Sequence, residues 1–167
     1  MAVTVEEIRS LREITGAGIM ECKEALEKTG GDQQKAIEVL REKGFAQAAK
    51  RANRVTTEGL IEAYIHTGGR VGALVELGCE TDFVARTPEF KQLAHDVAMQ
   101  VAAMSPSYID QDEMEEGDTR PPAQVTLLQQ PFIKDSSRSV GEVVQELAAK
   151  VGENVKVIRF SRLALEE

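Results

Sequence analysis

The spacing of apolar residues changes once along this chain, and that change limits the folds open to it. Before residue 57 the apolar residues recur every three or four positions, as they do on one face of a helix. Beyond it they alternate with other residues, as they do in a strand with one buried face. We therefore predict an α+β protein, in which N-terminal helices precede a small antiparallel sheet packed with helices.

Capping signals divide the N-terminal part into three short helices. Thr4 and Glu7 have the spacing of a capping box before the first apolar series. The sequence TGAG, residues 15–18, separates the first helix from the second. Asp32 can cap a third helix, which we expect to end at Gly44. These signals predict a compact helical module.

A basic stretch, FAQAAKRANRVT (residues 45–56), leads out of this module and is predicted to be a helical linker. The parts before and after it have separate apolar patterns, as independent domains have. We therefore divide the chain into residues 1–52, a partner-binding module with its linker, and residues 53–167, an α+β core.

The core begins with a hairpin, because two alternating segments flank Gly68-Gly69, a pair suited to a two-residue turn. Thr87 and Pro88 mark the start of one helix. Ser139 and Glu142 form a capping box before another, and NVKVIRFSRLAL (residues 154–165) is predicted to be the last strand. These elements predict an antiparallel sheet with helices on one face.

Charge and hydropathy exclude several classes of protein. The net charge is −8, from 20 basic and 28 acidic side chains, which disfavours direct nucleic-acid binding. No apolar run reaches the roughly 18 residues that a membrane span needs, so we expect no membrane association. The N-terminal residues MAVTVEEIRS lack the features of an export signal, and two unpaired cysteines fit a reducing compartment. We expect a cytoplasmic protein that binds another protein.

The segment SPSYIDQDEMEEGDTRPPAQ, residues 105–124, has six carboxylates between Asp110 and Asp118. It lacks the ligand spacing and the closing glutamate of a calcium loop. We interpret it as a solvated, mobile loop and expect no metal site there.

The residues that could carry covalent chemistry are few. No phosphate-binding loop is present, and the GAG at residues 16–18 does not follow a strand, so no nucleotide cofactor is expected. His66 and His95 are not spaced with other ligands for a metal. A Cys22–His95 nucleophile pair stays open, although Cys22 falls on the apolar face of its helix. Cys79 is the other possible nucleophile of a hydrolase.

Phe83 stands in the polar sequence GCETDFVART, residues 78–87. It is either a core residue at the end of a strand or an exposed anchor for a partner's pocket, with Asp82 fixing the geometry. Binding hot spots are typically aromatic residues with a polar surround. Periodicity leaves both interpretations open.

Four motifs in order, LREITGAGIMECKEAL, GD with LREKG, CETDFVAR, and QPFIKD with GENVKVIRFSR, resemble the elongation factor Ts family. The resemblance covers nearly the whole chain. It implies guanine-nucleotide exchange on elongation factor Tu, with no covalent chemistry and no cofactor. It also implies that the three-helix module has a ubiquitin-associated-like fold and grips the G domain of elongation factor Tu.

The family's functional residues carry over by motif. The segment that dislodges magnesium from elongation factor Tu corresponds to Thr81, Asp82, Phe83 and Val84. The N-terminal contact corresponds to Arg12, Gly16, Ala17, Gly18, Met20 and Lys23. Ile19 and Glu21 stand where the family commonly has Met and Asp, and both changes keep size or charge.

The resemblance also implies an assembly. Longer members carry two copies of the core subdomain, whereas this sequence has one, and short members are expected to pair. We therefore predict a homodimer; the alternative is a monomer whose helix at residues 139–151 covers the free surface. Two other functions stay open, an interaction scaffold that uses only the three-helix module and a cysteine-dependent hydrolase.

Overall fold

The computed structural model describes residues 3–165 and begins with three helices. Helix α1 (Val5–Thr15) starts at the predicted capping box, α2 (Ile19–Lys28) follows the TGAG turn, and α3 (Gln33–Arg51) is capped by Asp32. Their apolar faces meet in one cluster, formed by the buried residues Leu11, Cys22, Ala25, Leu26, Ala36 and Leu40. The three predicted helices are confirmed.

The core contains a three-stranded antiparallel sheet. Strands β1 (Glu58–Ile65), β2 (Val71–Cys79) and β5 (Lys156–Ala164) lie in the order β1-β2-β5, so that β2 is central. The hairpin is confirmed, but the two-residue turn was wrong. The connection is a wider loop of residues 66–70, in which the amide of Gly69 donates a hydrogen bond to the carbonyl of His66.

Helix α5 (Pro88–Met104) packs on the inner face of this sheet, and α7 (Val140–Val151) packs on α3 and α5 and contributes to the same apolar cluster. Helix α5 begins at the predicted cap Thr87, and α7 begins at the predicted capping box. The side chains buried completely between these layers include Val75, Leu77, Phe90, Val97, Val101 and Val140. The predicted fold class, a small antiparallel sheet packed with helices after an N-terminal helical part, is confirmed.

Helix α3 does not end at Gly44, as the sequence predicted, but continues to Arg51. A Cβ atom placed on Gly44 would lie 3.0 Å from the Cβ of Ala149 in α7. Gly44 therefore permits a close approach of two helices instead of ending one. Beyond it, residues 45–51 of the predicted helical linker form the last turns of α3, whereas residues 52–56 lie outside the helix, and Ala48 joins the apolar cluster of the core.

The segment between α5 and α7 contains elements that the sequence did not predict. Besides the short helix α6 (Pro122–Val125), strands β3 (Pro131–Phe132) and β4 (Asp135–Ser139) form a separate two-stranded sheet. Helix α4 (Asp82–Ala85) is a single turn between β2 and α5.

Inside the acidic loop, the Asp118 carboxylate accepts hydrogen bonds from Tyr108 and Arg120. The bonds from Arg120 hold the pKa of Asp118 well below its usual range. Because these bonds join positions at both ends of the loop, part of it has a defined conformation; its mobility stays a prediction.

The outer face of the three-stranded sheet carries several apolar side chains beside the Glu76–Arg159 ion pair, and no element of the described residues 3–165 packs on it. Ile65 lies beside Gly72 and Gly72 beside Leu163 across the three strands, and Leu74 is on the same face. Leu163 is 78% exposed, and the other two apolar side chains are exposed as well. Antiparallel sheets usually place polar side chains on their uncovered face, so this face is unusual.

No helix within residues 3–165 combines the length and the apolarity that crossing a membrane requires.

We propose that residues 53–167 fold without the N-terminal module. Of residues 3–52, Ala48 is the one that contributes a buried side chain to the apolar cluster of the core. Deletion of residues 1–52 should therefore leave a cooperative thermal transition with a lower midpoint, measured by circular dichroism. Deletion of residues 1–31, which keeps α3, is the matched control. A truncated core without a cooperative transition would show that the module and the core are one folding unit.

Candidate partner-binding site

The predicted site follows the central strand of the sheet. Thr81 caps α4 by accepting a hydrogen bond from the amide of Val84, at 3.4 Å. Val84 and Ala85 are buried, whereas Phe83 is 81% exposed. Because successive helical residues point about 100° apart, one turn that buries its last two residues turns the preceding side chain outward. The interpretation of Phe83 as a core residue was therefore wrong.

Asp82 is half-exposed and forms an ion pair with Arg86, one helical turn further on, at 2.9 Å. An exposed pair of this kind contributes little to stability. It does keep the carboxylate at the side of α4 next to Phe83, so the exposed ring has charged groups around it. This is the exposed aromatic residue with a polar surround that the anchor interpretation requires.

Thr81 also joins this turn to the segment that follows α7. The Glu153 side chain accepts hydrogen bonds from Glu80 and Thr81, and Asn154 bonds to Glu80 in return. Sequence reasoning missed Glu153 and Asn154. Both are more than 70 positions from the turn, and no local pattern identifies a carboxylate that accepts hydrogen bonds from distant backbone amides.

The N-terminal site residues lie around the turn between α1 and α2. Gly16 has a left-handed conformation at φ 69° and ends α1. Met20 and Lys23 are exposed on α2, and Arg12 and Gly18 are exposed next to the turn. Ala17 is exposed only in part and packs on the cluster of the module. The structure therefore gathers the six predicted residues around one turn, with Ala17 packed beneath it.

Both predicted segments border the C-terminal end of α7. The aliphatic part of Lys150 lies against Gly16, 3.4 Å from the point that a Cβ atom on this glycine would occupy, and its ammonium pairs with Glu89 at the start of α5. Three residues further along, Glu153 holds the turn that carries Phe83. The structure therefore brings the two segments, which are about 60 residues apart in sequence, to one end of one helix.

The cysteines are poorly placed for nucleophilic chemistry. Cys22 is buried and contacts Thr15 and Ala17. Cys79 is buried and donates to the carbonyl of Thr81, and burial raises the pKa of its thiol to about 11. Because the thiolate is the nucleophilic form, this shift disfavours a hydrolase based on Cys79.

His95 pairs with Glu62 on the sheet, at 3.4 Å. Within residues 3–165, no three His, Cys, Asp or Glu side chains are grouped so that they could hold a metal ion.

An exposed aromatic side chain on a fixed turn and an exposed glycine-rich motif are features of a protein-binding α+β protein. The model of the family described as Elongation factor TS matches residues 4–121. Relatives named elongation factor Ts are found in Carboxydothermus hydrogenoformans (44% identical, covering 99% of this chain and 90% of the relative) and in Thermotoga petrophila (44%, covering 100% and 98%). The chain belongs to the elongation factor Ts family, a family of translation elongation factors.

The protein is a shortened member of this family. The alignments to both relatives extend over 195 positions, and this chain has 167 residues. At least 28 residues of each relative therefore have no counterpart here, although the chain spans most of each relative's length.

Replacement of Phe83 by Ala should change the free energy of unfolding by no more than about 0.5 kcal/mol, because an exposed side chain loses little on truncation. The matched control is Phe90→Ala, since Phe90 is 0% exposed. That variant should lose about 3–5 kcal/mol. Urea denaturation of both variants measures the difference. Equal losses would mean that Phe83 is packed in solution.

Proposed function

We propose that this protein is a guanine-nucleotide exchange factor that releases GDP from elongation factor Tu in the cytoplasm. Membership of the elongation factor Ts family supports the translational role. The observation that carries the exchange function is the exposure of Phe83 on a turn whose next two residues are buried. A scaffold that used only the three-helix module would not need this aromatic residue.

Binding would involve two surfaces of this chain. The exposed N-terminal residues, around Gly16 and Met20, hold the G domain of elongation factor Tu. The turn at Thr81–Val84 then enters the same domain near the magnesium and phosphate site. Phe83 supplies the apolar ring, and Asp82 stays beside it through its pair with Arg86. Phe83 is exposed on a one-turn helix whose last two residues are buried, and this supports the separate roles of the N-terminal surface and the turn.

The exchange itself is a coupling between two binding equilibria, in which no covalent bond changes. Magnesium neutralises the phosphates of the nucleotide, so displacing it weakens nucleotide binding. By linkage, the factor and the nucleotide lower each other's affinity by the same ratio. Binding of GTP therefore expels the factor from elongation factor Tu, and the factor becomes free for another round.

Replacement of Phe83 by Ala should slow the stimulated release of labelled GDP from elongation factor Tu. A hot-spot truncation costs about 2 kcal/mol or more, which corresponds to a roughly 30-fold weaker affinity and to slower release when the factor is below saturation. Asp82→Ala should have a milder effect, because Asp82 orients the turn. Val55→Ala removes an exposed apolar side chain outside both surfaces and is the control. If the wild-type protein at micromolar concentration leaves GDP release unchanged, the proposed function is wrong.

We also propose that two copies of the chain form a homodimer through the outer face of the three-stranded sheet. Ile61, Ile65, Leu74 and Leu163 are exposed on that face. A two-fold axis would place the same apolar patch of each copy against the other, which removes both patches from water in one self-complementary contact. The helix at residues 139–151, which the monomeric alternative requires there, instead places its buried side chains in the apolar cluster of the core, and the outer face stays uncovered. The exposed apolar side chains favour the dimer.

Sedimentation equilibrium at micromolar concentration tests the dimer. The wild-type chain should have twice the mass of 18.3 kDa, and Leu163→Glu should have the single mass, because a buried unpaired carboxylate opposes association. Ile133→Glu is the matched control, since Ile133 is exposed outside this sheet. A single mass for the wild-type chain would rule out the dimer.

A further inference from the structure

The segment that follows α7 is bonded to the turn that presents Phe83. Gly152 ends α7 in a left-handed conformation, at φ 72°, and the chain reverses there. One carboxylate oxygen of Glu153 accepts hydrogen bonds from the amides of Glu80 and Thr81, both at 3.1 Å. The other oxygen accepts from the hydroxyl of Thr81 at 2.6 Å. A single side chain therefore satisfies three donors of the turn.

The bonding is reciprocal. The Glu80 carboxylate accepts from the amide of Asn154 at 2.7 Å, and it pairs with Arg54 at 3.6 Å. The side-chain amide of Asn154 donates to the carbonyls of Ala52 and Arg54, at 3.1 and 2.8 Å. The same pair of residues, 153 and 154, therefore fixes both the turn and the segment that joins the N-terminal module to the core.

The turn needs such support from outside. Helix α4 has four residues, which is too short to be stable by its own hydrogen bonds. Its cap is the hydroxyl of Thr81, which accepts from Val84 while it donates to Glu153. Glu153 thereby fixes the side-chain rotamer of Thr81, and this cap in turn fixes the orientation of the Phe83 side chain.

We propose that Glu153 is a positioning residue for nucleotide exchange, which holds Phe83 in the orientation needed to enter elongation factor Tu. This inference rests on the proposed exchange function. Glu153 acts through the backbone of residues 80 and 81 and itself touches neither the nucleotide nor the magnesium ion. Its side chain is half-buried and outside the apolar clusters, so its removal deletes no apolar contact of the core.

The first experiment separates positioning from binding. Labelled GDP release from elongation factor Tu is measured over a range of factor concentrations. In Glu153→Ala the maximal stimulated rate should fall about tenfold or more, because a Phe83 side chain that is no longer held in one orientation seldom enters the magnesium site. The half-saturating concentration should stay within about threefold, since the N-terminal contact is unchanged.

Two further variants serve as controls. Glu153→Gln should recover most of the rate, to within about threefold of wild type, because its carbonyl oxygen can still accept the two amides. Glu116→Ala removes an exposed carboxylate from the acidic loop and changes the net charge equally. It should leave both the maximal rate and the half-saturating concentration unchanged.

A double-mutant cycle with Phe83→Ala tests whether Glu153 acts through the ring. In the Phe83→Ala background, removing the Glu153 side chain should slow release by less than about twofold, because coupled residues are not additive. Amide hydrogen exchange gives a readout that is independent of activity. The amides of Glu80 and Thr81 should lose protection in Glu153→Ala, whereas the amides of Val75 and Leu77 should keep it.

The outcomes separate this inference from the proposed function. If the wild-type protein stimulates GDP release and Glu153→Ala does so at the same maximal rate, the positioning role is wrong and the exchange function stands. Additive losses in the double-mutant cycle, or unchanged protection of the amides of Glu80 and Thr81, would also overturn it. A wild-type protein that does not stimulate release overturns both.

Discussion

The central strand β2 is the constraint on which the rest of the structure depends. It is paired on both sides, and its inner residues Val75 and Leu77 are completely buried against the helices. A strand held in this way cannot shift by one residue without exposing that apolar set. The position at which β2 ends is therefore fixed, and with it the turn that carries Phe83. A rigid base for an exposed side chain reduces the entropy that a partner must remove on binding.

The two parts of the molecule are joined more closely than separate apolar patterns imply. Helix α3 belongs to the module at its start and to the core at its end, where Ala48 is buried. Arg41 pairs with Glu142 and Glu146 across the boundary, and Gly44 admits Ala149. A continuous helix transmits orientation better than a flexible linker does. The exposed residues of the module therefore have a defined direction relative to Phe83.

The sequence predictions failed where distant contacts overrule a local signal. Glycine commonly ends helices because it accepts a left-handed conformation. Gly44 instead stays helical, and its missing side chain lets Ala149 of α7 approach closely. The two-residue turn at Gly68-Gly69 gives way to a wider loop, since the register of β1 and β2 is set by their buried faces. Strands β3 and β4 have no alternating pattern, because they have only two and five residues. In the candidate site, the residues of the turn were named from the family resemblance, whereas Glu153 and Asn154 were not named at all.

The sequence by itself determined the order of the main helices and of strands β1, β2 and β5, the starts of α1, α3, α5 and α7, and the fold class. These features depend on interactions between residues three or four positions apart, which a pattern records directly. Only the tertiary structure decided which side of the turn Phe83 occupies and which side chains support it. Periodicity cannot separate an inward from an outward residue in a helix of one turn, and the bonds from Glu153 span more than 70 residues. Both depend on how β2, α5 and α7 pack together.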